Sequence, residues 1–246
     1  MPKLAVCLLT YTATRQRLAY AEATLHSTMS LLSTNADACV HIADDGSPAE
    51  HRDRLISIAR EYAPLDRISV SNSERGGYGK NVNLAMQALH SSVDYVLMLE
   101  DDWELTRLLD LQPLINALES SIGVECIRLG YLSFTQGLWG RVMSAPPEWY
   151  KYLLLDPDSD EPHVFAGHPR LETVAFQKRV GPWQEGLAPG ATEFEIAHRP
   201  EARRGVAWPM DLVHPTVDPL FAHIGSVRST EITADHFDGS AMVPHA

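Results

Sequence analysis

In the first hundred residues, short apolar runs alternate with longer amphipathic ones, and this alternation constrains the fold more than any other feature. Leu4–Leu9 (LAVCLL) is apolar without a break, as in a strand covered on both faces. Gln16–Leu32 places Leu18, Ala21, Leu25, Met29 and Leu32 near helical spacing. Cys39–Ala43 is strand-like, Asp45-Gly46-Ser47-Pro48 marks a turn, and Ala49–Tyr62 predicts a helix with Leu55, Ile58, Ala59 and Tyr62 inward. Arg67–Val70 predicts a short strand, Gly79–Leu89 a helix and Tyr95–Leu99 another strand. The order βαβαβαβ predicts an α/β chain with an open, mostly parallel central sheet flanked by helices. In such sheets, ligands bind beyond the carboxyl ends of the strands. Thr10-Tyr11-Thr12, Asp44–Ser47, Asn72–Gly79 and Glu100-Asp101-Asp102 each follow a strand. Four polar strand ends should therefore converge on one crevice.

The rest of the chain is less regular. Glu125–Leu129, Leu138–Ser144 and Tyr150–Leu155 predict strands, the last two around a Pro146-Pro147 turn, and Asp156–His163 predicts a polar loop. Arg170–Val180 and Thr192–Arg199 predict helices, and "GVAWP" and "PLFAHIG" late strands. No stretch has linker composition. The expectation is one domain over residues 1–246, with a nucleotide half (1–104) and a substrate half (105–246).

The 246 residues carry a formal net charge of −12, which argues against a nucleic-acid polymer as partner. Cys7, Cys39 and Cys126 are odd in number and far apart, as expected of reduced thiols in a cytoplasmic protein. No apolar stretch approaches the ~20 residues of a membrane helix. The start, "MPKLAVCLLTYTATRQRL", lacks a small-residue cleavage site, so a signal peptide is not expected.

The polar segments each admit two readings. Asp44-Asp45-Gly46-Ser47 is either a tight turn or a pair of carboxylates, one of which accepts the N3–H of a uracil ring. "SERGGYGKNVN", Ser73 to Asn83, is either a flexible loop or a Gly-rich approach to a helix N-terminus that favours anions, with Gly77 and Lys80 nearest the phosphates. Glu100-Asp101-Asp102 is either a solvated loop or, ending a buried strand, a site for a hard cation such as Mg2+ or Mn2+. "GPWQEG" (Gly181–Gly186) and "ATEFEIAHR" (Ala191–Arg199) could singly be a turn and a solvated helix, and His223 in "FAHIG" a structural histidine.

Taken in order, these segments resemble the family 2 glycosyltransferases, inverting nucleotide-sugar enzymes of the GT-A fold. "AVCLLTY" looks like the family's first strand, "IADDGS" its nucleoside-binding DDGS and "LMLEDDWEL" its DxD region. "NSERGGYGKNVNLAMQAL" is similar to its N-x-G…A-R-N-x-G stretch, with Lys80 where Arg is common. "GPWQEG" and "TEFEIAHR" resemble its GGFDE and ED-x-E-x-x-x-R pair, with Thr192-Glu193 in place of the ED. The resemblance implies an NDP-sugar donor, UDP-sugar above all, an acceptor hydroxyl on a glycan, protein or small molecule, and Mn2+ or Mg2+. It places Thr10, Tyr11, Thr12, Asp44, Asp45, Gly77 and Lys80 around base, ribose and phosphates. Glu100 and Asp101 would face ribose and sugar. Asp102 would ligate the metal, with His223 a second candidate ligand. Glu193 would be the catalytic base and Glu185 its alternative. A nucleotidyltransferase would also use a parallel sheet with acidic metal ligands, but "TYTATRQR" lacks the glycines such an enzyme carries after strand one. A non-catalytic nucleotide-sugar-binding protein is the third reading.

Overall fold

The computed structural model describes residues 1–89, 91–120, 123–130, 139–145, 150–159, 167–214 and 217–226. The chain begins β1 (Lys3–Thr10), α1 (Arg15–Leu31), β2 (Leu32–Ser33), β3 (Asp37–Asp44), α2 (Ala49–Tyr62), β4 (Ile68–Asn72), α3 (Tyr78–Leu89) and β5 (Tyr95–Glu100). It continues with β6 (Trp103–Leu105), β7 (Leu109–Asp110), α4 (Gln112–Glu119), β8 (Cys126–Arg128), β9 (Gly140–Ala145) and β10 (Tyr150–Leu155). After these come β11 (Arg170–Thr173), α5 (Val174–Val180), α6 (Pro189–Ala197), β12 (Val206–Pro209) and β13 (Phe221–His223). Every element expected up to residue 100 is present, its ends displaced by a residue or two. Leu138, the Pro146-Pro147 turn and residues 160–163 lie outside the described residues.

The main sheet has the order β4-β3-β1-β5-β11-β8-β12-β10-β9. β4, β3, β1 and β5 pair in parallel, as βαβ crossovers require. Farther on, β11 and β10 run against their neighbours, and the remaining strands share one direction. From Leu4 on, β1 is buried along its length. Each large side chain there contributes roughly 1.5–3 kcal/mol through burial, more than the ~1 kcal/mol span of intrinsic strand preference. Packing, not propensity, holds this strand central. α1 lies on α2 and β6, and α3 lies on β1, β3 and α6.

Register levels the polar ends. Thr10 sits opposite Asp44, Asp44 opposite Asn72, and Leu9 opposite Glu100. The expected crevice is therefore a single rim.

The segment 170–180, expected as one helix, is a strand followed by a helix. Arg170–Thr173 inserts between β5 and β8, and the Thr173 side chain then caps α5 by accepting from the Phe176 N–H at 3.0 Å. Arg170 and Glu172 are wholly buried and joined by an ion pair at 3.0 Å. Paired charges at alternate positions inside a sheet carry no apolar period, so the sequence concealed the strand. Among the described residues no helix is long and apolar enough to cross a membrane, and all three cysteines are free thiols.

Candidate active site

Asp101 and Asp102 follow β5 at the centre of the rim. Asp101 Oδ2 accepts from Thr10 Oγ1 at 2.9 Å and from the Tyr11 N–H at 3.1 Å, so it ties the end of β1 to the end of β5. Its other oxygen meets the Arg17 guanidinium, which also donates to Asp102 Oδ2 at 2.9 Å. Arg17 stands in the first turn of α1, behind the Thr14 cap, whose Oγ1 accepts from the Arg17 N–H at 3.2 Å. All three side chains are nearly inaccessible. Burial lifts the Asp101 carboxyl to about 6 although Arg17 pulls it down. Burial works against the guanidinium charge, but Asp101 and Asp102 more than offset it and raise the Arg17 pKa.

Asp102 keeps one oxygen open. Oδ1 is buried and has no partner among the described residues. His223 Nε2 lies 3.6 Å from Oδ2, beyond hydrogen-bond reach. β13 brings it there by pairing with β6, His223 opposite Trp103, while the Ile224 N–H donates to the Asp102 carbonyl at 2.9 Å. A Cβ on Gly225 would stand 2.4 Å from Asp102 Oδ2, so only glycine lets the chain pass this carboxylate. An open carboxylate oxygen beside an imidazole fits Mn2+ or Mg2+, which take one or two protein ligands plus water and substrate phosphates. Among the described residues no third His, Cys, Asp or Glu completes a protein ligand set.

Trp103 is the buried floor, its ring centroid 5.0 Å from His168 and 5.1 Å from His223. His168 accepts from Arg128 at Nδ1, 2.5 Å away, which fixes its neutral form. Burial, then the Arg128 charge, pushes its pKa well below the ordinary value.

A second carboxylate pair forms where α6 meets the rim. The Gly167 N–H donates to Glu193 Oε1, and a Cβ on Gly167 would fall 1.6 Å from Glu100 Oε1 and 2.9 Å from Glu193 Oε1. Residues 93 positions apart thus face one another across a glycine. Burial, and next the Glu193 charge, pushes the Glu100 pKa well above the usual carboxylate range. Glu195 turns away to Arg199, with contacts of 2.9 and 2.8 Å. Arg199 in turn donates to the carbonyls of Val180 and Pro182, both at 2.7 Å. Glu185 is exposed and accepts from Asn83 Nδ2 at 3.0 Å.

The nucleoside candidates divide. Asp45 accepts from the Gly76 and Gly77 N–H groups at 2.7 and 2.9 Å, so it shapes the glycine loop. Gly77 has φ +82°, the left-handed region open to glycine. Asp44, its side chain fully covered, accepts from the Ser47 N–H at 3.1 Å and pairs with Arg52 at 3.4 Å. The Thr12 N–H donates to Ser47 Oγ at 2.8 Å. Tyr11 is partly exposed beneath the Arg75 guanidinium, 4.4 Å from its ring. Lys80, in the first turn of α3, lies across Gly76. Sequence reasoning missed Arg17, Gly167 and His168. Only Arg17 left a signal, a cation in the first turn of a helix, where the dipole disfavours positive charge.

Comparison with known proteins places this geometry. No curated protein sequence matches the chain. Among solved structures, S. aureus TarS 1-349 in complex with UDP superposes with a TM-score of 0.61 at 13% identity, covering 85% of this chain and 57% of that one. S. aureus TarS gives 0.59 at 16% identity, covering 84% and 35%. GalNAc-T7 with UDP, GalNAc and Mn2+ gives 0.52 at 16% identity, covering 90% and 43%. The chain thus spans about a third to somewhat over half of these structures, and at such identities the likeness is one of fold, of the GT-A type. The profile described as Glycosyl transferase family 2 matches residues 6–171, two thirds of the sequence, including the ends of β1, β3, β4 and β5. By that match the chain belongs to glycosyl transferase family 2.

Proposed function

We propose that the chain is an inverting glycosyltransferase that moves a sugar from a UDP-sugar to an acceptor hydroxyl with the help of a divalent cation. The observation that carries this reading is the meeting of Glu193 with Glu100 across Gly167, at the rim that also holds Asp102 and His223. Inversion needs one carboxylate to take the acceptor proton, and among the described residues Glu193 is a carboxylate of residues 105–246 that meets the rim, beside Glu100. Burial and the Glu193 charge push the Glu100 pKa up, which disfavours a second negative charge beside Glu193. Asp102 and His223 would hold the cation, which when bound offsets charge on the departing diphosphate. Asp101 and Thr10 fix the ends of β5 and β1, and Asp45 sets the glycine loop with Lys80 at the phosphates. Asp44 acts through Ser47, whose hydroxyl receives the Thr12 N–H. TarS and GalNAc-T7 were each solved with UDP, which supports uridine as the base. A GDP-mannose complex of Pyrobaculum calidifontis mannosyltransferase on a related fold (TM-score 0.50) makes the base a matter for direct test.

The test is single-turnover transfer by Glu193→Gln after a donor screen by thermal shift with Mn2+. Loss of the general base should slow transfer roughly 10²–10⁴-fold, with donor affinity by calorimetry unchanged. Near-normal transfer by this variant moves the role to Glu185. A folded protein that binds donor and transfers nothing under any acceptor supports the non-catalytic alternative.

A further inference from the structure

We infer that Arg17 is a resident counter-cation that sets how tightly the Asp101–Asp102 pair takes a divalent metal and couples that metal to the nucleotide. The inference rests on the reading of Asp102 as metal ligand. The guanidinium spans both carboxylates, on Asp101 Oδ1 and Asp102 Oδ2. It does so from the first turn of α1, where the helix dipole opposes a cation and the Thr14 cap already serves the helix start. Two adjacent carboxylates therefore hold a positive charge in the protein's own fold. The buried, open oxygen left to an incoming cation is Asp102 Oδ1, on the same carboxylate that Arg17 holds.

A divalent cation at Oδ1 must share that carboxylate with a neighbouring guanidinium. Like-charge repulsion in a nearly dry site weakens such binding. A diphosphate brings the negative charge that relieves the repulsion. Metal and nucleotide then favour each other's binding, and linkage makes the effect reciprocal. Without Arg17, both oxygens of Asp102 are free for the metal while Thr10 and Tyr11 still hold Asp101, and affinity no longer depends on the nucleotide to the same degree.

The experiment is a Mn2+ titration, read as free Mn2+ by electron paramagnetic resonance, with and without UDP, in wild type, Arg17→Gln and Asp102→Asn. Wild type should bind Mn2+ weakly alone and at least ~10-fold more tightly with UDP, within the usual range of site coupling. Arg17→Gln should bind Mn2+ alone at least ~10-fold more tightly than wild type, with the UDP effect reduced. If Arg17→Gln folds only in Mn2+ and is unfolded by a chelator, metal is replacing the guanidinium, which supports the inference. If it folds under neither condition, Arg17→Lys serves: an ammonium that reaches one carboxylate should leave Mn2+ affinity above wild type, and an unchanged value overturns the inference. A folded Arg17→Gln with Mn2+ affinity equal to or below wild type overturns it as well. In that case Asp102-dependent Mn2+ binding by wild type with UDP shows that the metal site itself stands. No Mn2+ binding by wild type, or no loss in Asp102→Asn, removes both the metal site and the role of Arg17.

Discussion

Gly167 occupies a gap between two carboxylates that a larger residue could enter only by moving them. Any Cβ there would overlap Glu100 Oε1 at 1.6 Å and crowd Glu193 Oε1 at 2.9 Å. Gly167→Ala must therefore displace both acids while leaving Asp101, Asp102 and the Asp44–Ser47 end of the rim alone. Misplacing a catalytic group by about 1 Å can cost ~10²-fold in rate. The expected result is a fall of that order in single-turnover transfer, with UDP affinity by calorimetry close to wild type. At this scale the sequence was partly legible. A motif resemblance pointed to Glu193 and Asp102, and both come to the rim. The internal duties of Asp44 and Asp45 were not legible, because a carboxylate looks the same whether it faces a ligand or a backbone N–H.

α6 packs on α3 through buried Thr192, Ile196 and Ala197, and Arg199 just beyond its end ties it to α5. Arg199, two residues past the end of α6, pairs with Glu195 of that helix and also donates to the Val180 and Pro182 carbonyls at the end of α5, at 2.7 Å each. The Glu195–Arg199 pair is partly exposed, so the ion pair itself adds little. The two carbonyl contacts matter more, at about 1 kcal/mol or somewhat above for each charge-assisted bond. Arg199→Ala should lower unfolding free energy by roughly 1–3 kcal/mol in urea titration and slow transfer about 10-fold or more by loosening Glu193. Glu195→Gln, which keeps a partner for the guanidinium, should do much less of either. Helix periodicity revealed α6 but not what anchors it. It misread residues 170–173, where a buried ion pair replaces the apolar alternation of a strand.

Among the described residues a nine-stranded main sheet crosses from the parallel βαβ half through β11 to the later strands, and the stability of the fold carries a pH signature. His41 is fully buried in β3, its ring nitrogens 2.8 Å from Ser69 Oγ and 3.0 Å from Ser71 Oγ on β4. Burial pushes its pKa down to about 4 from 6.5. Between these values the unfolded chain binds the proton and the folded one does not. Stability is thus complete above about pH 6.5 and is lost as pH falls toward 4. At about 1.36 kcal/mol per pKa unit, His41 should account for a loss of about 2 kcal/mol between pH 7 and pH 5. Urea unfolding at the two pH values should show that difference in wild type and not in His41→Gln.

The local alternation of apolar and amphipathic segments determined the parallel βαβ arrangement of residues 1–104 and the convergence of four polar strand ends. These follow from hydrophobic period and crossover geometry, which act between near neighbours in the chain. Which carboxylate stays open was decided only by tertiary structure. Arg17 reaches Asp101 across 84 positions, and Gly167 reaches Glu193 across 26. Long-range contacts of single polar groups leave no period in a sequence. In a buried rim, one guanidinium or one missing Cβ separates an acid that holds the fold from an acid available for chemistry.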